Sequence, residues 1–166
     1  MFKPNISVTT ADNLPDLTQR IRSLADLEVL VGVPEEDAAR QKNQENEPIT
    51  NAQLAYVHTH GSPIHKIPAR PIIEPAIEDP DNQEDIAVYL KKAAEFALDG
   101  DKSNTLAELN KAGMDAQNAV RDWFTNPKNN WAPNSPITIR RKGSDRPLID
   151  TVQLRRSMIF VVRKKD

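Results

Sequence analysis

The chain has 166 residues, a length that suits one domain with a single core and is short for two. Charged residues make up 28% and hydrophobic ones 38%, so much of the chain is expected to be surface, extension or interface. The absence of cysteine excludes disulfides, thiol catalysis and cysteine-based zinc sites. No apolar stretch approaches a membrane span, and Met1-Phe2-Lys3-Pro4-Asn5 lacks the apolar run of a signal peptide. The expectation is a soluble protein made in the cytoplasm.

The net charge of -2 hides an uneven distribution. Acidic residues such as Glu35, Glu36, Asp37, Glu78, Asp79, Glu84 and Asp85 crowd the first four fifths. The end is basic, with Arg140, Arg141, Lys142, Arg155, Arg156 and Arg163. Such asymmetry points to one face for a partner of opposite sign.

In chain order, residues 6–10 alternate apolar and polar and read as a strand. Asp12 is placed to cap a helix with Pro15 in its first turn, and Leu14, Leu17, Ile21 and Leu24 give that helix an apolar face. Residues 27–33 are rich in β-branched side chains and read as a second strand ending at Pro34. The stretch from about 34 to 48 is polar and carries no large apolar residue, which predicts a flexible arm or loop. Thr50 and Gln53 form a capping-box pair that opens a helix, and Gly61 is placed to end it.

Three prolines at 63, 68 and 71 forbid a helix there and predict an extended segment anchored by Ile72, Ile73 and Ile77. Two helices follow. The first runs from about 82 to 98, with Ile86, Tyr89, Leu90, Ala93 and Phe96 inward, and breaks at Asp99-Gly100-Asp101. Ser103 is expected to cap the second, whose stripe is Leu106, Leu109, Ala116, Val120, Trp123 and Phe124. Asn126-Pro127 stops it. Residues 128–136 are loop with Trp131 as anchor, and 137–142 reads as a short helix or a turn. Asp150 or Thr151 is positioned to cap a short helix through Gln153 and Leu154, and 158–162 suits a last strand.

These elements predict an α+β domain over 1–166: a small, mainly antiparallel sheet packed against the two helices of 82–125, with extended arms. Residues 6–10, 27–33 and 158–162 are expected in one sheet.

Candidate chemistry is thin. His58, His60 and His65 cluster in sequence, but the first two point to different sides of a helix and no acid lies among them. The pairs Glu35-Glu36, Glu78-Asp79 and Glu84-Asp85 lie in polar surroundings that give no reason for a raised pKa. Neither a nucleophile elbow nor a phosphate-binding glycine loop is present. The basic end suits a phosphate backbone, but no aromatics interleave with its charges as single-strand stacking needs. Trp123, Phe124 and Trp131 suit core or interface anchors. No enzyme activity, cofactor or metal is expected.

Three ordered stretches carry a resemblance. They are Ile49-Thr50-Asn51-Ala52-Gln53-Leu54-Ala55-Tyr56-Val57-His58 running to Gly61, then Ile67-Pro68-Ala69-Arg70-Pro71-Ile72-Ile73, and Pro147-Leu148-Ile149-Asp150-Thr151-Val152-Gln153-Leu154-Arg155-Arg156-Ser157-Met158. With Trp131, Pro136-Ile137-Thr138 and Lys142-Gly143, they resemble the virion-morphogenesis, tail-completion and neck proteins of long-tailed bacteriophages over roughly residues 50–163. Two departures stand out. Val152 occupies a place where the family commonly has glycine after the aspartate-threonine pair, and Ile72 and Ile73 stand where an aromatic is common.

The resemblance implies a structural virion protein at the head-tail junction, made in the host cytoplasm. It implies a homo-oligomeric ring, six-fold first and twelve-fold second. The implied neighbours are the head-tail connector and tail-terminator or tail-tube proteins, with passing contact to viral DNA in the lumen and no membrane. The interface or structural residues are then Pro68, Arg70, Pro71, Trp131, Asp150, Thr151, Leu154 and Arg155. A DNA-binding accessory protein and a small phage enzyme are the alternatives. Pro68 and Pro71 lock the chain around Arg70, whose planar fork suits a paired contact with a carboxylate or with carbonyls.

Overall fold

A computed structural model describes residues 14–34, 49–150 and 152–165. The expected strand at 6–10, the Asp12 cap, the arm from residue 35 to 48 and Thr151 lie outside the described residues. The described chain runs α1 (Leu14–Ala25), β1 (Leu27–Gly32), α2 (Asn51–His60), α3 (Ile73–Glu78), α4 (Pro80–Asp99), α5 (Lys102–Trp123), a 3-10 turn (Pro127–Asn129), α6 (Pro136–Lys142), α7 (Gln153–Arg156) and β2 (Ile159–Lys164). This is the expected α+β class, with β1 and β2 antiparallel and in register from Leu27↔Lys164 to Gly32↔Ile159.

α5 is the spine. It carries α4 along one side and the β-sheet on another. Its apolar residues Leu109, Ala112, Ala116, Val120 and Trp123 are buried. Gly113 is where the sheet comes closest: an added Cβ would lie 2.2 Å from Cδ2 of the Phe160 ring, so only glycine lets β2 lie against the helix. Ile72, Ala76, Val120, Trp123, Phe124, Leu154 and Met158 form the core cluster, which Val31 and Trp131 help to cover. Two expected inward residues, Leu90 and Leu106, are instead exposed at 43% and 44%.

The helix ends follow local chemistry. Asp79 caps α4, its carboxylate accepting from Asp81 N at 3.3 Å, and Pro80 opens the first turn where no N–H partner is needed. Gly100, at φ 82, ends the helix. α5 begins earlier than expected and is capped by Asp101 rather than Ser103; Asp101 Oδ1 accepts from Asn104 N at 3.0 Å. That hydrogen bond holds the Asp101 carboxyl below the ordinary carboxylate value.

The proline-rich segment also differs from expectation. Residues 62–67 close a small loop, with Ser62 and Ile67 exchanging backbone bonds of 2.8 and 2.9 Å. Lys66 takes φ 54 to make the turn. Residues 73–78 then form helix α3 instead of extended chain. Pro75 does not prevent this, because it sits in the first turn, where backbone N–H groups have no helical acceptor.

Candidate functional site

The three stretches that carry the resemblance meet around one groove. α2 supplies its first wall. Thr50 N donates to Gln53 Oε1 at 3.0 Å and Gln53 N to Thr50 Oγ1 at 3.1 Å, the expected capping box. Gly61 ends the helix at φ 73, and a Cβ there would lie 2.8 Å from Ala69 N. The chain thus folds back on α2, and Arg70 N donates to His58 O at 2.6 Å.

Arg70 is buried. Its Nε and one terminal nitrogen donate to Ala132 O at 3.1 and 2.8 Å. The same terminal nitrogen reaches Pro133 O at 3.3 Å and Asn134 Oδ1 at 3.4 Å. Asn134 in turn donates to Asp145 O at 3.0 Å. Trp131 completes the clasp from the other side, its Nε1 donating to Pro71 O at 3.0 Å while its ring meets Phe124 edge-on at 5.9 Å. The two-pronged contact expected of Arg70 therefore falls on carbonyls within its own subunit. Burial lowers its pKa from the ordinary value.

A second clasp joins α7 to the end of α5. Arg155 Nε donates to Arg121 O at 2.7 Å and its terminal nitrogen reaches Asp122 Oδ1 at 3.1 Å. Arg121 answers with bonds to Met158 O at 3.0 Å and Arg156 O at 3.2 Å. Each guanidinium satisfies carbonyls near a helix end that would otherwise lack donors. Leu154 lies in the core cluster.

Between these clasps lies a groove of ≈ 880 Å³. Leu54, Ile67, Ile137, Leu148 and Leu154 give it an apolar lining. Lys66, Arg141 and Lys142 bring positive charge, with Arg70 behind them and Asp150 as the one carboxylate among the described lining residues. Burial pushes the Lys142 ammonium below its ordinary value; Asp150 opposes this, and the charges of Arg70 and Arg141 add to it. Lys142 Nζ donates to Arg146 O at 3.0 Å.

The expected site residues thus divide. Pro68, Arg70, Asp150 and Leu154 line the groove, whereas Pro71, Trp131 and Arg155 hold its walls. Of the two expected caps of α7, Thr151 lies outside the described residues and Asp150 is not at the cap position. That position is Val152, in the left-handed conformation at φ 61 with no side-chain cap bond. Left-handed backbone strains a β-branched residue and suits glycine, so Val152 stands where the physical demand is for glycine. Asn134 and Arg121 are structural partners that sequence reasoning missed; nothing local marks them. His58 and His65 line the groove, while His60 stacks on Tyr56 with centroids 4.2 Å apart. Among the described residues no group of three His, Cys, Asp or Glu is placed to hold a metal ion. No helix among them is long and apolar enough to cross a membrane.

Comparison with known protein families, curated proteins and solved structures finds no match to the chain.

Proposed function

We propose that the chain is a structural subunit of a bacteriophage particle, forming a neck or tail-completion ring that joins head and tail. The observation that carries this reading is the convergence of three separate stretches, residues 49–61, 67–73 and 147–158, on one groove with its walls clasped by Arg70, Trp131 and Arg155. Those stretches carry the likeness to neck proteins, and a rigid, shaped groove is what a subunit gripping neighbours requires. The ring is a homo-oligomer, six-fold in the first instance and twelve-fold in the second, between the connector and the tail-terminator or tail-tube proteins. Electron microscopy of purified particles tests this: the chain should appear as a closed ring at the head-tail junction, and particles lacking it should accumulate as separate heads and tails. Absence from purified particles, or a single copy in each, overturns the reading.

A second reading is favoured by the cationic side of the groove: a DNA-binding accessory protein whose Lys66, Arg141 and Lys142 contact phosphates. Duplex binding by the purified chain that falls steeply with added salt would support it.

A further inference from the structure

We infer that the groove receives the first turns of α4 from a second copy of this chain, in a head-to-tail contact. The inference rests on the proposed ring assembly and names its interface. α4 presents Asp81, Glu84, Asp85 and Val88 on its exposed side. Their spacing of i, i+3, i+4 and i+7 puts them on one face of the helix. Three carboxylates followed by one apolar side chain form a short ridge. The groove offers the complement: Lys66, Arg141 and Lys142 with apolar Ile137, Ile67 and Leu148.

Three details sharpen the fit. Lys128 pairs with Asp81 at 2.9 Å within its own subunit, so Glu84 and Asp85 carry most of the attraction. Lys91 and Lys92 occupy the next turn, and their charge sets the end of the docked stretch at Val88. No residue of α4 lines the groove. One copy can therefore offer its ridge while its own groove takes the ridge of the next, which is the heterologous contact from which closed rings are built. A nucleic acid meets the cationic side equally well, but its phosphates gain nothing from the apolar lining, whereas Val88 does.

The chain has no cysteine, so introduced thiols report the contact without background. Val88 is 47% exposed and Ile137 71% exposed, so replacing either leaves the core intact. Full-length chain carrying Val88→Cys and Ile137→Cys, concentrated and mildly oxidised, should give a ladder of covalent multimers. Mixing the two single variants should give only a dimer. The control pair Leu106→Cys with Ile137→Cys should not link above collision level. Adding Arg141→Glu should cut linking by about tenfold, and Glu84→Lys in the opposing copy should restore much of it, because like charges now face opposite ones again. Links no stronger than the control overturn the inference. Loss of duplex DNA binding in Arg141→Glu with linking unchanged also overturns it and assigns the groove to nucleic acid. Particles that contain the double-cysteine chain but no 88–137 link overturn this interface while leaving the virion role standing. A ladder in solution with the chain absent from particles keeps the interface and removes the virion role.

Discussion

α5 and α1 are both amphipathic in sequence, yet they are covered very differently. α5 buries one face along its length, from Thr105 to Trp123, against α4 and the sheet. No residue of α1 is buried, and Leu14, Leu17 and Ile21 are 68%, 38% and 51% exposed. One hydrogen bond ties α1 to the end of α4: Arg20 donates to Leu98 O at 2.7 Å, while its ion pair with Asp16 stays within the helix. The periodicity of a helix says that it has an apolar side. What covers that side depends on elements far away in the chain.

Substitutions on the covered side should have the largest effects. Met158 is fully buried in the core cluster. Met158→Ala should cost about 3 kcal/mol, read as a lower urea midpoint with an unchanged m value. Arg70→Ala removes a charged donor from Ala132 and Pro133 carbonyls and should cost about 2 kcal/mol by the same measurement. Arg70→Lys should recover only part, since one ammonium does not reproduce two prongs. Equal stability of Arg70→Ala and the parent would reduce that residue to a passive filler of the clasp.

Val152 offers a change of opposite sign. Its φ of 61 carries strain that Val152→Gly relieves, offset in part by the freedom glycine adds to the unfolded chain. The net expectation is a gain of about 1 kcal/mol, seen as a higher urea midpoint. A loss would mean that the Val152 side chain contributes more by packing than its backbone costs.

Acid provides a fourth test, at the start of α4. The hydrogen bond from Lys128 holds the Asp79 carboxyl below its ordinary value. Its folded pKa is therefore lower than its unfolded one, and its contribution is present above the unfolded value and lost as pH falls toward the folded one. Stability should decline below about pH 4, and Asp79→Asn should make that decline shallower. Some slope will persist, because Asp101 is lowered in the same direction. An identical acid slope in the variant would show that Asp79 does not contribute.

The smallest effect is expected on α1. Ile21→Ala should change the stability of the isolated subunit by no more than about 0.5 kcal/mol. A loss near that of Met158→Ala would show that the α1 stripe is covered in solution.

Local signals were legible where both partners lie within a turn of each other. Thr50 with Gln53, Gly61 and Gly100 marked helix ends because capping is decided within a few residues. Asp101 was missed as a cap because Ser103, two residues on, carries the same kind of signal. α3 was missed because the extended reading set by the prolines at 63, 68 and 71 was carried on through Ile72, Ile73 and Ile77, although the chain is free to turn helical once past Pro71. At the groove, the prolines around Arg70 and its preference for a two-pronged contact were readable. Its acceptor, Ala132, lies 62 positions away and has no side-chain signature. Val152 was legible as a departure from a family pattern, but only its φ explains why glycine suits that place.

The pairing of β1 with β2 also sets an order of events during synthesis. Glu28 and Arg163, which face each other across the sheet, are 135 positions apart. At ordinary rates of translation β1 leaves the ribosome on the order of 10 s before its partner exists. α4 and α5 need only a short turn to meet, so that hairpin can form while the chain is still growing. α5 is made in time to cover the inner face of β1, but the backbone edge of β1 must wait unpaired until β2 arrives. Slowing or truncating synthesis after α5 should therefore yield a nascent chain with protected helices and an aggregation-prone strand, and release of β2 should close that window.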